Sequence, residues 1–258
     1  MSDIDKRLAT EGKLQYHLKM KGGDVGKYVL LPGDRARVPM MSSYLKDVKE
    51  VGNNREYVAH TGTHRGIKVT IMSTGMGCPA AAIAVEELAN IGARAFIRTG
   101  STGALQEPID IGDLIIATGA AKNEGTSRMY EPVEFPAVPS FRVLSALVRA
   151  AESLQKELRF KYHVGIVSSD DAFYAETPEF IHRMTALGAL GVDMESSAMF
   201  VVSRARRLES GSILSASENF ARKSIVPEKV PKALKEGWLK ETRVALRAIE
   251  MLDGRRTF

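Results

Sequence analysis

Short apolar runs alternate with longer helical patterns along this chain, and this alternation limits the folds available to it. The runs that predict strands are Tyr28–Leu31, Ile67–Ser73, Ala95–Thr99, Asp113–Thr118, Tyr162–Ser168 and Ser212–Ala216. The patterns that predict helices are Pro79–Ile91, Ser140–Glu157, Pro178–Leu187, Met194–Arg207 and Val230–Leu252. Such an order favours an α/β fold around a mostly parallel sheet, whose ligands bind beyond the carboxyl ends of the strands.

The size and composition of the chain favour one domain over residues 1–258. Of its 258 residues, 44% are hydrophobic and 26% are charged, which is enough to build a substantial core. The sequence contains no Pro/Ser-rich linker, no low-complexity block and no repeat that would divide it. We therefore expect a single α/β domain.

Cysteine content and charge limit the cellular compartments and the classes of partner that we expect for this chain. Cys78 is the only cysteine, which excludes an intramolecular disulfide framework and is typical of a reducing compartment. We find no leader pattern and no apolar run long enough to span a bilayer, so we expect a soluble, cytoplasmic protein without a membrane partner. The formal charge is +5, but the basic clusters Arg204–Arg207 and Arg255–Arg256 lack interleaved aromatic residues, so we expect no nucleic-acid partner.

The segment from Arg98 to Gly103 carries the first chemical signal. It reads Arg-Thr-Gly-Ser-Thr-Gly and follows the strand that begins at Ala95, so we predict a turn there. Glycines allow a close approach of backbone N–H groups, Ser101 and Thr102 offer hydroxyls, and Arg98 offers a planar cation. This set suits a small oxyanion such as phosphate. An ordinary turn with a solvated arginine is the alternative.

Two further glycine-containing segments follow strands. Pro32-Gly33-Asp34 leads to Arg37, which could reach back over its turn, and the run from Ser73 to Pro79 joins a strand to a helix N-terminus. None of these segments has the Gly-Lys-Ser/Thr ending of a phosphate-binding P-loop, and none has the dinucleotide pattern Gly-x-Gly-x-x-Gly. A kinase or a nucleotide hydrolase is therefore not expected.

An acid and an aromatic residue lie in the neighbouring segments. Glu195 falls in the first turn of a predicted helix, where it would complement the helix dipole or, beside an anion site, accept hydrogen bonds from sugar hydroxyls. Phe173 follows a predicted strand, and it would either pack in the core or form a stacking wall for a base. Apart from His17, the histidines are His60, His64, His163 and His182, and they show no metal-ligand spacing, so no metal site is expected.

Taken in order, these segments resemble the nucleoside phosphorylase family, which includes uridine phosphorylase and the hexameric purine nucleoside and methylthioadenosine phosphorylases. The likeness runs from His17 to the last predicted helix. It is carried by Pro32-Gly33-Asp34, Ser73–Gly77, Glu86-Glu87-Leu88, Arg98–Gly103 and Met194-Glu195-Ser196. The resemblance implies a three-layer α/β domain, in which helices flank a mostly parallel or mixed sheet that is partly barrel-like.

The resemblance also implies roles for individual residues. The implied phosphate-binding residues are Gly33, Arg37, Arg55, Arg98 and Ser101. The implied ribose-binding residues are His17, Met194 and Glu195, and the implied base-binding residues are Phe173 and Glu218. Of these, Glu218, Arg98 and Glu195 are the expected catalytic residues. Arg55 and His17 would act across a subunit interface of a homohexamer built as a trimer of dimers.

The implied reaction is the reversible phosphorolysis of a nucleoside to a free base and a (deoxy)ribose 1-phosphate, so the expected enzyme is a pentosyltransferase. Inorganic phosphate is the co-substrate, and no cofactor is expected. A uridine-phosphorylase-like enzyme is the leading hypothesis, favoured by the segment Glu134–Val138. A purine nucleoside or methylthioadenosine phosphorylase is the alternative. A nucleosidase that uses water and a non-catalytic nucleoside-binding protein are the remaining hypotheses.

Three positions depart from the family pattern. Glu218 stands where the purine enzymes carry an aspartate that protonates the base. Uridine phosphorylases carry a glutamine and an arginine just after the Phe-Tyr pair, whereas this chain reads Ala175–Glu179 there. Asp193 replaces the usual glutamate before Met194. The identity of the base therefore stays open at the level of sequence.

Overall fold

A computed structural model describes residues 12–222 and 229–254 of the chain. Within these residues nine strands form one mixed sheet. The strands are β1 Tyr28–Leu31, β2 Lys46–Asn54, β3 Tyr57–His64, β4 Ile67–Met72, β5 Ala95–Ala104, β6 Leu114–Asn123, β7 Tyr162–Asp170, β8 Gly191–Asp193 and β9 Glu209–Asn219. The α-helices are α1 Arg37–Ser42, α2 Cys78–Asn90, α3 Phe141–Leu158, α4 Pro178–Ala186, α5 Ser196–Ala205 and α6 Lys232–Asp253.

The sheet is an open array at one end and a partial barrel at the other. Its order is β2-β3-β4-β1-β5-β8-β7-β6-β9, and β9 also pairs with β5. Strand β9 runs parallel to β5 and antiparallel to β6. Because β9 has a partner on each side, the strands β5, β8, β7, β6 and β9 close on themselves.

Helices cover both faces of the sheet and enclose two apolar cores. One core contains Val85 and Leu88 of α2 together with Met199 and Val202 of α5. The other contains residues of α1, α3 and α6, which pack against strands such as β1. The three-layer α/β class with a partly barrel-like sheet, predicted from the sequence, is thereby confirmed. No helix in the described ranges is long and apolar enough to cross a membrane.

The prediction of strand β1 is confirmed at both ends, but the hairpin formed by β2 and β3 was not predicted. Strand β2 reads Lys-Asp-Val-Lys-Glu-Val-Gly-Asn-Asn, and most of its residues are exposed or half-buried at the edge of the sheet. An edge strand with charged side chains avoids pairing with other chains, so it lacks the apolar alternation that signals a strand.

The turn predicted at residues 98–103 is wrong, because strand β5 continues through Ala104. The register with β9 runs from Ala95 to Ala104. A Cβ on Gly100 would overlap the Leu214 side chain, and a Cβ on Gly103 would overlap the ring of Phe220. These two glycines therefore allow side chains to approach the strand closely.

Helix α5 begins at Ser196, two residues later than predicted, because the short strand β8 ends at Asp193. Met194 and Glu195 therefore connect a strand to a helix. Helix α6 begins at Lys232 instead of Val230. The basic pair Arg255–Arg256 lies outside the described residues.

Gly112 fixes the position of helix α6 against the barrel. Its φ is +86°, and a Cβ there would overlap the carbonyl oxygen of Ala233 near the start of the helix. Gly66 has a similar φ of +81° but nothing within 4 Å of its ideal Cβ position. A comparison of the two glycines therefore distinguishes the energetic cost of backbone strain from the cost of steric overlap.

We expect Gly112→Ala to lower the free energy of unfolding by about 3 kcal/mol, since it combines left-handed strain with overpacking. Gly66→Ala should cost only about 1 kcal/mol, because it carries the strain alone. Urea denaturation followed by circular dichroism measures both values. Equal losses in the two variants would contradict the proposed contact with Ala233.

Candidate active site

A cavity of about 560 Å³ lies where several loops meet the ends of β1, β5, β8 and β9. Its size is typical of a small-molecule site. The structure brings eight of the ten sequence-predicted site residues to this cavity, and they are Gly33, Arg37, Arg98, Ser101, Phe173, Met194, Glu195 and Glu218. These eight residues lie up to 185 positions apart in the chain.

The floor of the cavity is built from two hydrogen-bonded loops. Thr74 N donates to Pro32 O at 2.9 Å, and Gly75 N donates to Gly33 O at 3.0 Å. A Cβ on Gly33 would lie 3.7 Å from Nη1 of Arg98, so the guanidinium lies directly beside this glycine. The two segments that sequence analysis assigned to anion binding therefore meet.

Arg98 and Glu195 form a buried ion pair at the centre of the site. Both side chains are at most 5% exposed, and Nη2 of Arg98 donates to Oε2 of Glu195. The other carboxylate oxygen accepts from Gly77 N at 2.8 Å. Burial raises the pKa of Glu195, while the Arg98 charge and the backbone N–H donors oppose that shift. The carboxylate is thus held in a single orientation.

Asp193, the shortened acid, serves as an anchor behind this pair. It accepts from Ser169 Oγ at 2.6 Å and from Ser196 Oγ at 2.5 Å, and its Oδ2 lies 3.5 Å from Nε of Arg98. Ser196 N also donates to it at 3.1 Å. Asp193 therefore fixes the connection between β8 and α5 as well as the arginine.

Arg37 is the second buried cation, and helix α6 supplies its partners. It is 4% exposed, and its Nη2 donates to Oε1 of Glu241, which is fully buried. Burial lowers the pKa of Arg37, and the Glu241 carboxylate opposes this shift. Burial raises the pKa of Glu241 to about 7 although Arg37 and Ser215 favour its charged form.

Sequence analysis missed Glu241 and Trp238. Trp238 also lines the cavity, one helical turn before Glu241. A signal was present, since Glu241 falls on the same helical face as the buried residues Leu234, Val244 and Ala248. A charged residue on the apolar face of a helix needs a buried partner.

The opposite end of the cavity carries two carboxyl groups and two aromatic rings. Phe173, Glu176, Glu218 and Phe220 line it. Glu218 is 5% exposed, burial raises its pKa, and its Oε2 has no hydrogen-bond partner within the described part of the chain. Burial and the neighbouring acids raise the pKa of Glu176 to about 7. Glu176 was not among the sequence-predicted site residues.

His17 and Arg55 do not line the cavity. Nδ1 of His17 lies 2.6 Å from Oε1 of Glu87, and its backbone N–H donates to the same carboxylate. Arg55 is exposed in the turn between β2 and β3. Their roles at the site of a neighbouring subunit stay predictions.

Cys78, Glu124 and Asp171 form the one group of metal-ligating side chains found among the described residues, with donor atoms within 4.8 Å of one another. Each member already has a hydrogen-bond partner, since Cys78 Sγ donates to Met194 O and Asp171 accepts from Gly125 N. Glu124 accepts from Ser127 N and Ser197 Oγ. Burial raises the pKa of the Cys78 thiol. A neutral thiol and satisfied carboxylates are poor metal ligands.

Comparison with known proteins identifies the family of the chain. Residues 27–250 match the family described as "Phosphorylase superfamily". A guanosine phosphorylase of Halorubrum lacusprofundi is 39% identical over 92% of this chain and 99% of its own length. A uridine phosphorylase of Treponema pallidum is 41% identical over 92% of this chain and 94% of its own. The crystal structure of a Vibrio fischeri uridine phosphorylase superposes with a TM-score of 0.84 at 36% identity, covering 91% of this chain and 96% of that one.

The chain therefore belongs to the phosphorylase superfamily. Its named relatives are nucleoside phosphorylases, which transfer pentosyl groups, so the predicted enzyme class is confirmed. The predicted likeness to uridine phosphorylases is confirmed as well.

We expect Arg98→Ala to lower the free energy of unfolding by about 3 kcal/mol, because it leaves the buried Glu195 and Asp193 without their cation. Arg149→Ala is the matched control, since it removes an exposed arginine of helix α3 and should change stability by less than about 0.5 kcal/mol. Denaturant titration at neutral pH measures both. A loss in Arg98→Ala as small as the control's would contradict the buried ion pair.

Proposed function

We propose that this protein catalyses the reversible phosphorolysis of the N-glycosidic bond of a nucleoside, in the manner of the uridine phosphorylases that it resembles. Inorganic phosphate attacks C1′ of the sugar, and the products are a free base and a pentose 1-phosphate. The observation that carries the proposal is the placement of two buried arginines, Arg37 and Arg98, beside the fixed carboxylate of Glu195 in one cavity.

The arginine end of the cavity suits the phosphate. Arg37 and Arg98 bring positive charge, Gly33 lies against Arg98, and Ser101 adds a hydroxyl. Arg37 Nε is buried without a hydrogen-bond partner among the described residues, which leaves a donor available to an anion. Guanidinium groups bind phosphate oxygens through paired N–H donors. We assign the nucleophile to this end.

The carboxylate of Glu195 suits the sugar. Its orientation is fixed by Arg98 and Gly77, and it would accept hydrogen bonds from the 2′ and 3′ hydroxyls while Met194 packs against the ring. As the glycosidic bond breaks, positive charge develops on the sugar. The phosphate dianion and the carboxylate both stabilise that charge, and the fixed geometry places the phosphate to capture C1′.

A nucleosidase that uses water is less consistent with this site. Water carries no charge that requires cations, whereas Arg37 and Arg98 are both buried beside the proposed sugar position. Although Glu241 binds Nη2 of Arg37, the buried Nε of Arg37 has no hydrogen-bond partner among the described residues, so a donor remains for an anion. An attacking phosphate gives these residues a catalytic use.

The assembly and the setting are also proposals. We propose that the protein acts in the cytoplasm as a homohexamer, in which Arg55 and His17 complete the site of a neighbouring subunit. Arg55 is exposed at the tip of a hairpin, where it could reach another chain. We expect no cofactor, no metal and no nucleic-acid partner, and a monomer should be inactive.

A purine nucleoside is the second candidate substrate. It is favoured by the carboxyl groups at the end of the cavity opposite the phosphate, where we place the base. A buried carboxyl with a raised pKa can donate a proton to a purine nitrogen, as Glu218 would. Uracil offers two carbonyl oxygens, which need donors such as an amide or a guanidinium. The cavity-lining arginines among the described residues lie at the phosphate end instead. One of the relatives named above is a guanosine phosphorylase.

The proposed function is tested by incubating the protein with uridine, guanosine, inosine, adenosine or methylthioadenosine, each with and without inorganic phosphate. We expect base release only when phosphate is present, with formation of a pentose 1-phosphate detected by phosphorus NMR. Base release at the same rate without phosphate would instead indicate a nucleosidase. Binding of nucleosides without any turnover would indicate a binding protein.

The role of Glu218 is tested by its pH dependence. Because burial raises its pKa, the neutral acid persists to higher pH, and kcat/KM for a purine nucleoside should fall as the pH rises through that pKa. Glu218→Gln should lower kcat for a purine nucleoside by roughly 10²–10⁴-fold and remove this pH dependence. The exposed Glu179→Gln is the matched control and should behave like the unaltered enzyme. An unchanged purine rate in Glu218→Gln would exclude it as the acid.

A further inference from the structure

Helix α6 presents two side chains, one turn apart, to the phosphate end of the cavity. Trp238 lines the cavity, and Glu241 lies fully buried behind it. Neither residue belongs to the motifs that carry the family resemblance. Their contacts involve two of the residues to which we assign the phosphate, Arg37 and Ser101.

One indole ring contacts both phosphate-binding side chains. The guanidinium carbon of Arg37 lies 4.7 Å from the centroid of the Trp238 ring, which is a cation–π contact. Nε1 of the same ring donates a hydrogen bond to Ser101 Oγ at 2.9 Å. Arg37 opens helix α1 and Ser101 lies within strand β5, so the ring connects two elements that do not follow each other in the chain.

Glu241 holds Arg37 independently of the ring. Its Oε1 accepts from Nη2 of Arg37, and its Oε2 accepts from Ser215 Oγ at 2.7 Å. The guanidinium is thus fixed by a carboxylate and by an aromatic ring. An arginine loses considerable rotamer freedom when it binds an anion, and this arginine has already lost it before the ligand arrives.

The hydrogen bond from Trp238 also determines whether the Ser101 hydroxyl acts as a donor or as an acceptor. A serine hydroxyl has one proton to donate. Because an indole N–H can only donate, Ser101 accepts at this contact, and its own proton stays available for another acceptor. In the phosphate dianion HPO₄²⁻, three of the four oxygens carry no proton and can only accept hydrogen bonds. Trp238 therefore prepares Ser101 as a donor to phosphate.

We propose that Trp238 is a positioning residue that pre-organises Arg37 and Ser101 for inorganic phosphate. This proposal rests on the proposed function. It adds that a side chain of helix α6 keeps the phosphate-binding side chains in place. Trp238 acts through its two neighbours and has no part in recognising the base. Loss of its N–H should therefore weaken the use of phosphate selectively.

The kinetic test is Trp238→Phe, which keeps an aromatic face against Arg37 and removes the N–H. We expect KM for phosphate to rise about tenfold, as for the loss of one hydrogen bond to a ligand-binding group, while KM for the nucleoside changes less than about twofold. Trp238→Ala removes the ring as well and should raise KM for phosphate further. Thermal unfolding of Trp238→Phe should stay cooperative, with a midpoint within about 4 °C of that of the unaltered protein, because one hydrogen bond is lost.

A double-mutant cycle with Ser101→Ala tests the route of the effect. If Trp238 acts through Ser101, the double variant Trp238→Phe/Ser101→Ala should have the KM for phosphate of Ser101→Ala alone, within about twofold. Multiplicative effects of the two substitutions would overturn the coupling. An unchanged KM for phosphate in Trp238→Phe, or an equal rise in both KM values, would overturn the proposal itself.

A binding test that needs no turnover is available, because Trp238 is the only tryptophan in the chain. Titration of the unaltered protein with inorganic phosphate should change the tryptophan emission saturably, since the ring contacts Arg37. Potassium chloride at matched ionic strength is the control and should give no saturable change. No response to phosphate would overturn the proposal. A saturable response in a protein that does not cleave nucleosides would instead overturn the proposed function and leave Trp238 at an anion site.

Discussion

Buried guanidinium groups require compensating charge, and this requirement organises the whole site. Arg98 pairs with Glu195 and approaches Asp193, while Arg37 pairs with Glu241. An unpaired charge at such depth would cost several kcal/mol. The pairs therefore oblige β5, the β8–α5 connection, α1 and α6 to meet at one place. The cavity lies where these elements meet, so its shape follows from the pairing of charges.

Closure of the sheet brings the remaining parts to the same place. Strand β9 pairs with β5 along its whole length and with β6 near its middle. Parallel pairing with β5 carries Glu218 to the register of Gly103, beyond Arg98 and Ser101 on the neighbouring strand. A residue 120 positions after Arg98 thus reaches the same cavity. Without its pairing to β5, strand β9 would not supply the wall that Glu218 forms at the end proposed for the base.

Sequence patterns were sufficient to locate the helices and strands that have strong apolar patterns. They were also sufficient to find the site residues that lie within short motifs. Strand β1 and most helices were located to within two residues, and eight predicted site residues do line one cavity. The polar edge strand β2 carried no apolar alternation, so it could not be found by that signal. The glycines after Arg98 indicated a turn, whereas their small size serves the packing of Leu214 and Phe220.

Glu241, Trp238 and Glu176 were missed for a different reason. Glu241 and Trp238 contact partners that are distant in the chain, Arg37 and Ser101, and local spacing does not encode such contacts. Glu176 reaches the cavity through tertiary structure that no motif around it encodes. Only the anomaly of a glutamate on an apolar helical face pointed to one of them. Motifs therefore identified the groups proposed to touch phosphate and ribose, and tertiary structure was needed to find the groups that hold them.

The two ends of the cavity differ in how firmly they are built. At the end proposed for phosphate and ribose, backbone N–H groups and buried ion pairs fix Arg98, Glu195 and Arg37, so a substitution there disturbs several elements at once. At the base end, Phe173 is 42% exposed and lies in a short 3₁₀ turn next to Glu176. Side chains in such a turn can change without moving the sheet. If the base binds at this end as proposed, base specificity can change while the fold is retained.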